Sequence, residues 1–168
     1  MLGQAAGFAF HVGKKEQSDD WDGQELSEFS VKTLPFSRGA DTFTKDKVVQ
    51  IDLIWLDATR PTFAFEVEHT TSITSGLDRF IELLKLDGSV AERLVIIAPK
   101  SRLKKMNQVL GSSHYIGAPM YMDTKVRYLW YSDVLDIAAQ FAQQQPTKAS
   151  LTEAILRTLH MPRARPGG

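Results

Sequence analysis

The sequence predicts an α/β fold, a mixed β-sheet flanked by helices, on three observations. Two β-branched and aromatic stretches, VVQIDLIWL and FAFEVEH, are separated by a short turn. An amphipathic helical stretch follows them, and then a continuous apolar run, RLVIIA, that ends at Pro99. Strands joined by a short turn pair antiparallel, whereas a strand reached through a helix lies parallel to an earlier one, so the sheet is mixed. At 168 residues and 43% hydrophobic content the chain can bury one real core. A single domain over residues 1–160 is expected, with residues 161–168 (MPRARPGG) a disordered tail.

In chain order, Gly7–Val12 reads as a first strand closed by Gly13, with any helix before it missing or cut short. Residues 14–46 are polar and form a long excursion holding one short helix near Glu25–Thr33. Within it, SDDWDGQELSEF has Asp20, Asp22 and Gly23 at the spacing of a calcium loop. Phe29 stands where the closing glutamate should be, so the stretch reads as a polar turn. Val48–Leu56 is the second strand, Asp57–Thr62 a turn and Phe63–His69 the third strand, together a hairpin. Ser75–Leu86 places Leu77, Phe80, Ile81 and Leu84 at helical spacing, opened by a capping box of Ser75 and Asp78. Arg93–Ala98 is a strand covered on both faces, and Ser101–Leu110 a helix closed by Gly111. Lys125–Tyr131 is a further strand, and Ser132–Gln143 and Ser150–His160 are two terminal helices.

Twenty lysines and arginines balance twenty aspartates and glutamates, so no global basic field attracts nucleic acid and any polyanion contact is local. The absence of cysteine excludes disulfides and thiolate zinc sites. With no secretory signal and no apolar run of membrane-spanning length, a cytoplasmic protein with no membrane partner is expected. No P-loop, dinucleotide fingerprint, HExxH or GxSxG motif is present.

The third strand poses the chemical question. Residues i and i+2 of a strand share a face, so Glu66 and Glu68 point together, away from Phe65 and Val67. A hairpin turning near residues 59–60 makes facing residue numbers sum to 118–120, which sets Asp52 opposite Glu66 or Glu68. Three carboxylates converging in this way repel unless a cation sits among them, and a hard divalent ion prefers oxygen ligands. The alternative reading is the solvated face of an edge strand.

QIDLIWL followed by AFEVEHTTSITSGLDRF resembles the PD-(D/E)XK nuclease superfamily, whose signature is an acidic residue on one strand and an acidic-x-lysine triplet on the next. The similarity runs from Gly7 to Pro99 and implies a restriction endonuclease-like core. Asp52 matches the first acid and Glu66 the second. Glu68 replaces the lysine, an E-x-E variant, and Ile51 replaces the proline before the first acid. The resemblance implies catalytic Asp52, Glu66 and Glu68, with Mg2+ (or Mn2+) held by Asp52, Glu66 and the Val67 backbone carbonyl. It also implies hydrolysis of DNA phosphodiesters in a restriction, defence or DNA-processing protein. The alternative is a nuclease-fold domain without cleavage, serving as a DNA-binding or protein-interaction module.

Thr70, Thr71 and Ser75 lead into a helix N-terminus that could receive a phosphate, although ordinary capping explains such residues equally. Arg79, one turn into that helix, could face the phosphate or stay at the surface. Arg102, Lys104 and Lys105 decorate a helix whose Leu103, Met106 and Leu110 are apolar, as either a backbone-contacting stripe or a solvated face. His69 reads as a structural residue on the opposite face from Glu68. Glu16 lies just after the first strand, with no direction fixed by the sequence. A homodimer or further domains would supply targeting that a neutral chain lacks.

Overall fold

The structure is a computed structural model that describes residues 2–69, 73–90, 93–116 and 121–162. A short helix α1 (Leu2–Ala5) precedes strand β1 (Ala9–Val12), and a small ribbon, β2 (Asp20–Trp21) with β3 (Gln24–Glu25), precedes α2 (Leu26–Phe29) and α3 (Thr42–Val48). Next come β4 (Leu53–Asp57), β5 (Arg60–Val67), α4 (Ile73–Leu86), β6 (Leu94–Ala98), α5 (Leu103–Leu110), α6 (Ser113–Ile116) and α7 (Met122–Lys125). Strand β7 (Val126–Trp130) and helices α8 (Tyr131–Gln140) and α9 (Lys148–Thr158) follow.

The main sheet has the order β1-β4-β5-β6-β7, as an α/β fold with a mixed sheet requires. The first two pairings are antiparallel and the last two parallel. One face carries Ile54, Leu56, Ala64, Ile96 and Tyr128 against α4, α5 and the end of α3. The other carries Phe10, Trp55, Phe63, Phe65, Val95 and Leu129 against α8 and α9. Burial on both faces explains why RLVIIA reads as one unbroken apolar run.

Several boundaries differ from those the sequence predicts. Val48–Ile51 do not belong to a strand. Asp41 caps α3, its carboxylate accepting the Thr44 N–H at 2.9 Å, and the helix runs to Val48 before a turn delivers Ile51 fully buried. The hairpin turn is only Ala58–Thr59, with Ala58 at a φ of 53°, and strand β5 continues back through Pro61. Proline is tolerated there because the register shifts between Trp55 and Leu56, a bulge where no ladder N–H is required. Helix α4 begins at Ile73, so Ser75 lies inside its first turn. The Asp78 carboxylate accepts from the Tyr115 hydroxyl at 2.9 Å. The polar turn at Asp22–Gly23 joins β2 to β3, with φ values of 56° and 80° that suit Asp-Gly in a two-residue hairpin loop.

Candidate active site

The ladder between β4 and β5 pairs Leu53 with Phe65 and Ile54 with Ala64, residue numbers that sum to 118. One step further, the same register sets Asp52 opposite Glu66. The Asp52 Oδ2 accepts the Val67 N–H at 2.7 Å, which ties the first acid to the strand carrying the other two. Glu66 and Glu68 are both buried, with Val67 between them exposed on the other face. Glu68 lies one residue past β5, yet its N–H still donates to the Ile97 carbonyl at 2.8 Å, so the backbone holds its strand path. These residues stand at the C-terminal ends of the parallel strands, where open α/β sheets leave a crevice for ligands.

A cation from the chain itself answers the repulsion. Arg79, on the second turn of α4, grips Glu66 with two parallel hydrogen bonds, Nε to Oε1 at 2.7 Å and Nη2 to Oε2. Its side chain is 14% exposed, against 1% for Glu66. Burial works against its charge, but the bond to Glu66 and the charges of Glu66, Asp52 and Glu68 outweigh that and hold its proton more firmly than usual. Burial pushes the Glu66 carboxyl up to about 8 against the opposing pull of Arg79, with Asp52 and Glu68 adding to the rise. Burial likewise raises Asp52, opposed by the Val67 N–H, Arg79 and Lys15.

The fold positions Arg79 through neighbours on both sides of it. Tyr115 reaches Asp78, and the Thr44 hydroxyl reaches Glu82 Oε2 at 2.9 Å, so α6 and α3 fix α4 one residue before Arg79 and one turn after it. Gly76 clears the ground between: a Cβ there would meet Glu66 Cγ and Oε2 at 3.2 Å. Gly13 does similar work at the end of β1, where a Cβ would lie 2.5 Å from a Glu16 oxygen and 3.0 Å from the Asp52 Cα. Glu16 thus comes to the cluster, its carboxyl raised by burial first and then by the charge of Asp52.

The far rim is aromatic and basic. The His69 ring lies parallel to Tyr131, 6.2 Å between centroids and 10° between planes. The Tyr131 hydroxyl is raised by burial and by Glu68, with Arg102 opposing, which sets these side chains in one electrostatic neighbourhood. Lys104 and Lys105 are exposed on α5, while its Met106 and Leu110 are buried. Ser75 is exposed on the first turn of α4. Thr70 and Thr71 fall outside the described residues. Sequence reasoning marked Gly13 only as the end of the first strand and did not single out Gly76 or Tyr131. Gly76 did leave a signal, a glycine inside a helical pattern, which usually marks a close approach.

In kind, the donor set suits a hard divalent cation: carboxylates of Asp52, Glu66 and Glu68, with Glu16 beside Asp52. The guanidinium of Arg79 grips Glu66 and feels the charges of Asp52 and Glu68. Among the described residues, no group of three or more His, Asp or Glu side chains is drawn together as metal ligands. Among them also, no helix is long and apolar enough to cross a membrane.

A family model described as the C-terminal domain of the type II restriction enzyme NmeDI matches residues 1–161. No curated protein and no solved structure matched the chain.

Proposed function

The chain belongs to the family of the type II restriction enzyme NmeDI C-terminal domain, and on that premise we propose that it is a Mg2+-dependent endonuclease hydrolysing DNA phosphodiesters through a PD-(D/E)XK site of E-x-E form. The observation that carries this reading is the Asp52 carboxylate bonded to the strand that bears Glu66 and Glu68, all three on one face beside the Arg79 guanidinium. Asp52, Glu66 and the Val67 carbonyl are the ligands for the metal, with Mn2+ as a substitute. When bound, the ion supplies Lewis-acid polarisation of the scissile phosphate and a more acidic water.

The protein's own groups do the rest. Glu68 orients the attacking water and takes its proton, since no lysine occupies that position. Arg79 contributes positive charge at the phosphate. Ser75 meets the DNA backbone from the first turn of α4 and Arg102, Lys104 and Lys105 from the α5 side, and Thr70 and Thr71 join these backbone contacts. Because the chain is electrically neutral, targeting needs a homodimer or further domains of a larger restriction or defence protein, acting in the cytoplasm.

A second reading, a nuclease-fold domain without cleavage that binds DNA or protein, is favoured by the full engagement of Glu66 by Arg79. Plasmid nicking separates the two. The nuclease reading expects Mg2+- or Mn2+-dependent conversion of supercoiled to open-circular DNA that Glu66→Ala, purified in parallel, does not perform. Binding of DNA without nicking under either metal supports the second reading.

A further inference from the structure

We infer that Arg79 is an exchangeable internal counter-ion: it occupies Glu66 in the metal-free protein and must leave that carboxylate before Glu66 can serve as a metal ligand. This deepens the nuclease reading and rests on its assignment of Glu66 to the metal. Both Glu66 oxygens are engaged by the guanidinium, Nε on one and Nη2 on the other. A cation at Glu66 and a guanidinium in that bidentate grip would crowd like charges onto one carboxylate, at a cost that scales inversely with their separation.

The surroundings favour exchange over a permanent structural pair. Besides Glu66, the charges of Asp52 and Glu68 also act on this guanidinium. Helix α4 is fixed through Asp78 and Glu82, so the helix can stay in place while the Arg79 side chain swings. That side chain is 14% exposed, whereas Glu66 is 1% exposed, so of the two partners the arginine is the one with room to move. Released at the mouth of the cluster, the guanidinium meets whatever anion approaches, and in a nuclease that anion is a DNA phosphate. Substrate and metal then support each other, because the phosphate gives Arg79 a new partner as the metal takes its old one.

Calorimetric titration of Mn2+ into DNA-free protein tests this without reference to turnover. Arg79→Gln is expected to bind Mn2+ at least about tenfold more tightly than the unmodified chain, since a competing cation has been removed. Arg79→Lys, which keeps the charge but loses the bidentate grip, is expected to fall between them, and it covers the case in which Arg79→Gln does not fold. Equal Mn2+ affinity in the unmodified chain and the foldable Arg79 variant, with both lost on Glu66→Gln, would overturn the exchange and leave the metal site standing. Absence of any Glu66-dependent Mn2+ binding in all of them would overturn the metal reading itself, and the exchange with it. In plasmid cleavage the exchange expects Arg79→Gln to need less metal for half-maximal rate while turning over more slowly.

Discussion

On the face of the sheet covered by α8 and α9, Trp55 stacks on Phe8 at 5.1 Å between centroids, and Phe63 on Phe65 at 5.6 Å. On the face covered by α4, the same two hairpin strands send Asp52, Glu66 and Glu68 toward one arginine. Alternation along β5 makes this division: Phe63 and Phe65 point one way, Ala64, Glu66 and Glu68 the other. The aromatic face is held by area removed from water and tolerates imperfection, leaving a cavity of about 260 Å³ among Trp55, Phe65, Leu129, Ile137 and Leu151. The acidic face depends on matched partners, because a buried charge that loses its partner is far more costly than a missing methylene. A protein of this design can change charge on one face while the other maintains the fold.

The largest effect is expected on the aromatic face. Phe63→Ala removes a fully buried ring and should lower the unfolding free energy by about 4 kcal/mol in a denaturant titration. Any metal-dependent nicking per folded molecule should change little. Loss of nicking without loss of stability would show that the two faces are not separable in this way.

The next effect isolates the pair on the acidic face. Arg79→Leu should cost about 3 kcal/mol, because it leaves Glu66 buried beside Asp52 and Glu68 without the guanidinium that grips it. Adding Glu66→Leu should recover most of that loss, since the costly element is the orphaned carboxylate and not the missing contact. Additive losses in the double variant would mean that Arg79 stabilises the fold through something other than Glu66.

The smallest effect sharpens the comparison through pH. His11 lies on the same face as the acids, buried, with Nε2 bonded to the Val49 carbonyl at 3.1 Å and Nδ1 without a partner among the described residues. Burial lowers its pKa from 6.5, with the bond to Val49 opposing. A base that is harder to protonate in the fold contributes stability that is full above the unfolded value of 6.5 and is lost as pH falls below it. Melting scans between pH 7.5 and 5.5, values chosen to bracket roughly that unfolded pKa, should show the unmodified chain losing stability relative to His11→Phe as pH falls, superimposed on the opposite trend that the raised Glu66 carboxyl sets in both proteins. A difference between the two that stays constant across the window would contradict the assignment to His11.

Much of this was legible in the sequence, because it depends on period-two alternation and on a short turn. Those two features place Asp52, Glu66 and Glu68 on one face with facing residues summing to 118–120, and the ladder takes 118 of these. Helix α4 was legible from a different signal, the helical spacing of Leu77, Phe80, Ile81 and Leu84, and the apolar run after it marked β6. The start of β4 was not legible, because Val48, Val49 and Ile51 are as apolar in a helix end and a turn as in a strand. The pairing of Arg79 with Glu66 was not legible either. It depends on the angle at which α4 crosses the sheet and on the space left by Gly76, neither of which a one-dimensional pattern encodes. The motif displayed its missing lysine, but not the guanidinium that the next helix brings to the same carboxylates.

Crystals soaked in manganese test the central claim most directly, since the metal scatters anomalously and the arginine is visible in the same map. The account predicts an anomalous peak between Asp52 and Glu66, with the Arg79 guanidinium rotated away from Glu66. Crystals in which Arg79 still grips both Glu66 oxygens, with no peak at the cluster under saturating manganese, would contradict it.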